Sequence, residues 1–203
     1  MAITNYAELQ TAVANWLDRS DLNERIPEFI ALGEAVIRRK LRTMGEEKRA
    51  NADTLPGDAT LSLPADFNGM RDVFIRGDPI TPLSQVALSK LRSSQAGSSV
   101  GKPTMYAVTD DQLLLAPTPD AAYRVEMHYY AFSPLSDIVS SNAVLASHPD
   151  LYLHLSLAEG FRYMNDDQRE LKMLTLAQKT IEDIMANDEL VRFGASPLQV
   201  RIA

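Results

Sequence analysis

The sequence contains no cysteine among its 203 residues. Disulfide bonds and thiolate-bound metals are therefore excluded, and this composition is consistent with assembly in a reducing cytoplasm. Apolar runs are also short, since none approaches the roughly 18 residues that a membrane-spanning helix requires. Residues 1–5 lack the basic segment and apolar run of a signal peptide. We therefore expect a soluble protein, with no membrane partner, that stays where it is made.

Positive charge is in deficit. The chain has 20 lysines and arginines against 27 aspartates and glutamates, for a net charge of −7. An acidic surface repels phosphate, which argues against a dedicated nucleic-acid-binding role. The same surface is compatible with DNA that only slides past it.

Residues that carry chemistry are few, with three histidines in the whole chain. His148 and His154 are six positions apart, or roughly 240° around a helix, so they do not share a face as a zinc pair at i, i+4 would. His128 falls on the polar face of a predicted strand. The sequence contains no phosphate-binding glycine loop, no G-x-S-x-G and no H-E-x-x-H. Adjacent carboxylates lie where turns, caps and loops are expected, at 46–47, 110–111 and 166–167.

From these absences we predict no catalytic residue, no cofactor and no metal site. A Ser-His-Asp arrangement stays open, because its members meet only in the folded chain. Nothing in the sequence singles out a particular serine.

Both ends of the chain show helical periodicity. Asn5 can cap a first helix that begins at Tyr6, and Pro27 fits the first turn of a second helix that runs to about Leu41. Pro149 likewise opens a third helix, which reaches about 164. A fourth helix follows the break at 165–167 and is predicted to end near 187.

The middle of the chain changes to a period of two, which is typical of strands. Alternation begins near Thr60, and Gly77-Asp78 indicates a hairpin turn between two short strands. Further strands are predicted at 104–109, 112–116 and 122–131. The Ser/Gly-rich segment 93–101 is predicted to be an exposed loop.

The order of elements predicts an α+β fold. We expect an antiparallel four-helix bundle built from both chain ends, 1–58 and 133–188, with a small antiparallel β-rich insert at 59–132. Residues 189–203 are predicted to form an extended C-terminal tail.

Two groups of residues are candidates for contacts with partners. The first closes the second helix with four cations, which either stabilise the helix C-terminus or contact a neighbouring subunit or DNA: Arg38, Arg39, Lys40 and Arg42. The second is apolar without a regular helical stripe, and we interpret it as a segment that docks on its own bundle or on a partner: Leu190, Val191, Phe193, Leu198, Val200 and Ile202.

The sequence resembles the head-to-tail adaptor proteins of tailed phages, also called tail tubular or gatekeeper proteins. The resemblance covers most of the chain, and its specificity comes from the order of several short motifs. These are YAEL at 6–9, WLDR at 16–19, RIPEFI at 25–30, GEA at 33–35, LPADF at 63–67, GKP at 101–103 before Tyr106, LLLAPTP at 113–119, YY at 129–130 and HPDLYL at 148–153. The loop at 93–101 matches no family feature, and no role is assigned to it.

The resemblance implies a structural protein of the virion at the head–tail junction. It implies a dodecameric ring below the portal, a C-terminal segment that grips the portal, a tail or nozzle protein beneath, and DNA that passes through the lumen without specific binding. Assembly would take place in the host cytoplasm. The alternatives are another neck or tail-completion protein and a small ligand-binding or hydrolytic domain.

Overall fold

A computed structural model describes residues 2–41, 46–95 and 100–193. The chain divides into two compact units. One combines Met1–Glu46 with Phe132–Ala203, and the other is Glu47–Ala131.

The first unit is helical. Its elements are α1 (Tyr6–Leu17), a 3-10 turn (Ser20–Arg25), α2 (Ile26–Lys40), α4 (Ala143–Ser147), α5 (Pro149–Tyr163) and α6 (Asp167–Phe193). Helix α5 lies at the centre and packs against α1, α2 and α6. Because α5 has neighbours on several sides, its apolar residues cover almost its whole circumference rather than one stripe.

Local signals start the helices where the sequence predicts. The Asn5 side chain accepts a hydrogen bond from the Glu8 amide at 2.9 Å, which caps α1. The Glu8 carboxylate in turn accepts from the Thr4 amide at 2.7 Å, so the capping box closes one residue earlier than usual. Prolines occupy the first turns of α2 and α5, where a missing N–H leaves no bond unmade.

Gly33 allows α2 to pack closely against α5. A Cβ atom added to Gly33 would lie 3.1 Å from the Leu155 Cβ and 3.4 Å from the Ser156 amide nitrogen. Because position 33 has no side chain, the two helices pack here at a distance where even a Cβ atom would be a tight fit.

The second unit is a two-layer β structure. One sheet has the order β1-β8-β3-β4 and the other β2-β7-β6-β5. The strands are β1 (Glu47–Asp53), β2 (Thr60–Ser62), β3 (Phe67–Ile75), β4 (Thr81–Pro82), β5 (Ser84–Gln85), β6 (Met105–Thr109), β7 (Gln112–Ala116) and β8 (Arg124–Ala131). All strand pairs are antiparallel except β5 and β6.

Alternation along the strands builds two cores. Leu113 and Leu115 of β7 pack with Val125 and Met127 of β8 into a cluster shared by the two sheets. The intervening residues of β7 face the other way and pack under Leu91 of the short helix α3 (Leu88–Gln95). The sheet that contains β7 is thus covered on both faces, which is why this strand is a continuous apolar run.

The predicted four-helix bundle with a small insert is wrong. The described residues contain six α-helices and two four-stranded sheets, with about 48% helix and 24% strand. The largest single error is β1, which lies in the segment predicted as a loop. Its sequence has only two apolar residues, Ala50 and Ala52, because it is an edge strand whose remaining side chains are mostly exposed or half-exposed.

Helix α6 also differs from the prediction, since it continues to Phe193 rather than ending near 187. Residues 189–193 are therefore helical where an extended tail was predicted. Asn187 does not end the helix, and the first glycine after it in the sequence is Gly194. Residues 194–203 lie outside the described part of the chain.

In the described ranges, no helix combines the length and the apolar character that crossing a bilayer requires.

Candidate interaction surfaces of the helical unit

The basic end of α2 is exposed. Arg38, Arg39 and Lys40 form its last turn, where positive charge compensates the helix dipole. The Lys40 Nζ donates a hydrogen bond to the Gln178 Oε1 at 2.8 Å, which connects α2 to α6. Arg42 lies outside the described residues. Lys40 therefore connects the basic end of α2 to α6.

A groove of about 500 Å³ runs between α2 and α6. Its floor is apolar and includes the buried residues Leu155, Ala177 and Ile181. The charged residues that line it are two lysines and one glutamate: Lys40, Lys179 and Glu182. An apolar groove with a net positive rim suits an apolar side chain that carries an acidic neighbour.

The end of α6 carries an apolar face that continues beyond its packing partners. Ile181 and Ile184 are buried in the helical core. Val191 follows Ile184 by seven residues, so it lies on nearly the same side of the helix, yet it is 62% exposed. Leu190 beside it is 69% exposed. Two neighbouring large apolar side chains are thus open to a partner at the C-terminal end of the helix.

A second cavity, of about 210 Å³, lies next to this helix end. Its lining residues are half apolar and half polar: Leu41, Ala143, Val144, Ile184 and Val191, with Glu46, Ser147, His148, Asn187 and Asp188. The exposed valine therefore forms part of the wall of a pocket of mixed polarity.

Only part of the predicted apolar tail lies within the described residues, which end at 193. Leu190 and Val191 are on helix α6, and Phe193 is its last residue. Leu198, Val200 and Ile202 lie outside the described residues. The structure therefore leaves Leu190 and Val191 exposed at adjacent positions near the end of α6, about 100° apart around the helix.

A buried polar cluster joins α2, α5 and the segment before α4. The Glu34 carboxylate is 5% exposed and accepts hydrogen bonds from the Leu135 amide at 2.8 Å and from the Tyr152 hydroxyl at 3.1 Å. The Asn142 amide group donates to the same hydroxyl at 2.7 Å and to the Ser133 carbonyl at 2.9 Å. This cluster fixes the segment 133–142 against the helices.

Burial shifts the titration of this cluster. Desolvation raises the pKa of Glu34 above its usual value, although the hydrogen bonds from Leu135 and Tyr152 oppose the shift. Desolvation and the charge of Glu34 also raise the pKa of the Tyr152 hydroxyl, which therefore stays protonated as a donor.

The three histidines occupy different kinds of site. His128 hydrogen-bonds the Glu126 carboxylate at 2.9 Å on the outer face of its sheet, where Arg76 also contacts Glu126 at 2.6 Å. His148 lies between α4 and α5 and lines the smaller cavity. Desolvation lowers the pKa of His154 on α5. Within residues 2–41, 46–95 and 100–193, no three His, Cys, Asp or Glu side chains are grouped to hold a metal ion.

Comparison with known proteins identifies the family. The family model described as the SU10 adaptor protein matches residues 4–201. The chain belongs to this adaptor family. The match covers nearly the whole length and confirms the resemblance to phage adaptor proteins. No curated protein matches the chain.

Family membership makes this chain a phage adaptor and a structural protein of the virion. We therefore interpret the exposed surfaces of the helical unit as candidate contacts with other virion proteins. These surfaces are the end of α6 and the groove between α2 and α6, and the Glu34 cluster stabilises the unit that carries them. Glu34 also had a signal in the sequence. It lies four residues after Ile30 and three before Ile37, on the apolar side of α2, where a carboxylate needs a partner.

Replacing Glu34 with glutamine is expected to remove a pH dependence from the stability of this adaptor. The folded pKa of Glu34 is raised, so its contribution to stability is present below the unfolded value of 4.5 and is lost as the pH rises through the folded value. The free energy of unfolding of the variant, relative to the native chain, should therefore rise between pH 4 and pH 7. Denaturant unfolding at several pH values measures this slope.

Glu28→Gln is the control, because Glu28 is exposed on the same helix and pairs with Arg25 at the surface. If the glutamine side chain also changes the free energy of unfolding by an amount that does not depend on pH, the slope of that free energy against pH is unaffected. The assignment is wrong if both variants keep the native pH dependence.

Proposed function

We propose that this chain is a head-to-tail adaptor that forms a dodecameric ring between the portal and the tail, through which the phage DNA passes. The family match over residues 4–201 is the observation that carries this proposal. It supports a place at the head–tail junction of the virion, with the portal above and a tail or nozzle protein below.

The exposed end of α6 supports portal binding. Val191 lies on the side of α6 that carries the buried Ile181 and Ile184, and it lines a pocket. Leu190, the next residue, is exposed about 100° around the helix from it. Exposed large apolar residues beside a pocket are typical of sites where a partner binds. We assign the portal contact to this helix end together with the residues that follow it, including Phe193, Leu198, Val200 and Ile202.

The charge of the chain supports passage of DNA rather than its capture. At a net −7, the subunit repels the phosphate backbone overall. The basic residues Arg38, Arg39, Lys40 and Arg42 stay candidates for contacts with a neighbouring subunit or with DNA in the lumen. In this proposal the ring guides DNA and does not hold it.

Electron microscopy of the full chain mixed with purified portal from the same phage tests the proposal. We expect the portal to gain an additional ring with the same rotational axis. Subunits that are monomeric in isolation are compatible with this outcome, because each contact is weak alone and the portal supplies many sites at once. An uncapped portal at saturating adaptor would contradict the proposal, and binding to purified tail protein alone would favour a tail-completion role.

A further inference from the structure

A tight turn at 136–139 presents the most exposed large apolar side chain among the described residues. Ile138 is 94% exposed. Around it, the Ser136 amide donates to the Val139 carbonyl at 3.0 Å, and the Val139 amide donates to the Ser136 hydroxyl at 3.0 Å. The two hydrogen bonds close the turn from both sides, so its backbone is well defined.

The segment that carries the turn is fixed to the helical unit at three points. The Leu135 amide donates to the Glu34 carboxylate at 2.8 Å, and the Tyr6 amide donates to the Ser140 carbonyl at 2.7 Å. At the end of the segment, the Asn142 side-chain amide donates to the Tyr152 hydroxyl of α5 at 2.7 Å. Because the turn is already fixed, binding a partner through Ile138 would lose little further conformational entropy. A fixed and exposed apolar side chain is typical of an interface contact.

The groove between α2 and α6 has the chemistry that complements this turn. Its floor is apolar, and two of its three charged lining residues are Lys40 and Lys179. Asp137 precedes Ile138 and is also exposed, so the turn offers an apolar side chain with an adjacent negative charge. Ile138 does not fill the groove of its own chain, because it is almost fully exposed.

The turn and the groove lie on different sides of α2. Glu34 anchors the turn and Val36 lines the groove. Glu34 and Val36 are two positions apart and project about 160° apart around the helix, and Lys40, which also lines the groove, projects about 120° from Glu34. The two features therefore lie on different sides of this helix. A closed ring of identical subunits requires this arrangement, since each copy must offer one surface to the next copy and a different surface to the previous one.

We propose that Asp137 and Ile138 of one copy dock into the α2–α6 groove of the adjacent copy, with Asp137 next to Lys40 and Lys179. The inference rests on the proposed ring and names the surfaces that would make it.

Disulfide cross-linking tests the contact cleanly, because the native chain has no cysteine. Ile138→Cys combined with Thr175→Cys places one thiol on the turn and one on the groove, since Thr175 lines it. The full-length double variant is bound to purified portal, oxidised and analysed on a non-reducing gel. We expect a ladder of covalent oligomers, because a disulfide forms only when the two Cα atoms come within about 7 Å.

Thr180→Cys, combined with Ile138→Cys, is the matched control. Thr180 is on the same helix, and both threonine hydroxyls donate to the carbonyl four residues before them. The two positions are five residues apart, or roughly 140° around α6, so only Thr175 faces the groove. We expect at least about tenfold more cross-linking with Thr175→Cys, because a docked thiol has a high effective concentration.

Charge reversal gives an independent measurement. Asp137→Lys should reduce the number of subunits retained on the portal, and Lys179→Glu in the same chain should restore part of the loss. Portal rings that form normally without Thr175 cross-links, or with equal cross-linking at Thr180, would overturn the inference and leave the proposed function standing. Failure of the native chain to form any ring on the portal would instead contradict the proposed function.

Discussion

Replacing Leu190 and Val191 with glutamine is expected to abolish capture of the subunit by the portal while leaving the helical unit folded. Both side chains are more than 60% exposed, so neither contributes much to the core. Glutamine is a good helix former and carries no charge that would interact with the helix dipole. Any loss of binding should therefore come from the missing apolar contact.

The expected loss of affinity is large. Fully burying a leucine or valine side chain is worth about 1.5–3 kcal/mol, and 1.4 kcal/mol corresponds to about tenfold in affinity. Removing two neighbouring anchors should weaken binding by about 100-fold or more, and the loss is repeated at every subunit of the ring. Sedimentation of adaptor with purified portal measures the retained fraction.

Leu171→Gln is the matched control. Leu171 is 67% exposed and lies on the same helix, but near its other end. We expect this variant to bind as the native chain does. Equal binding by all three proteins would show that the end of α6 does not contact the portal.

A second variant separates the helix end from the residues that follow it. Removing 194–203 keeps all of α6 and deletes Leu198, Val200 and Ile202. Loss of binding in both variants supports one continuous contact. Full binding by the shortened chain would restrict the contact to Leu190, Val191 and their pocket.

The sequence predicted the helices better than the sheets, and burial explains the difference. Helices α1, α2 and α5 have clear start signals and apolar positions at helical spacing. Strand β1 has neither, because it lies at a sheet edge and its inward positions are only alanines. Periodicity reports which face is buried, so a strand that buries little gives little signal.

The candidate surfaces were predictable only in part, because exposure depends on what lies nearby in space. Leu190 and Val191 were identifiable as apolar residues without a stripe, and both are exposed on α6. Ile138 gave no such signal, since a single isoleucine in an irregular segment is usually covered by the fold. Two features single out Ile138: the hydrogen bonds that close its turn and its almost complete exposure to solvent. Both are properties of the folded chain and cannot be read from the sequence.

Replacing Gly33 with leucine is expected to destabilise the helical unit strongly, because α2 packs closely against α5 at this position. Even a Cβ atom would lie 3.1 Å from the Leu155 Cβ, and Leu155 is itself buried. The remaining leucine atoms fit only if the two helices separate. Overpacking of this kind costs about 3 kcal/mol or more, a large part of the 5–15 kcal/mol that typically stabilises a domain.

Two further variants distinguish crowding from helix propensity. Gly33→Ala should change stability by less than about 1 kcal/mol, since alanine gains about 1 kcal/mol of helix propensity while its methyl group meets Leu155. Ala31→Leu makes a similar increase in size at an exposed position of α2 and should be close to neutral. Denaturant unfolding followed by the helical circular dichroism signal measures all three. Equal stability of Gly33→Leu and Ala31→Leu would show that α2 and α5 are not tightly packed at position 33.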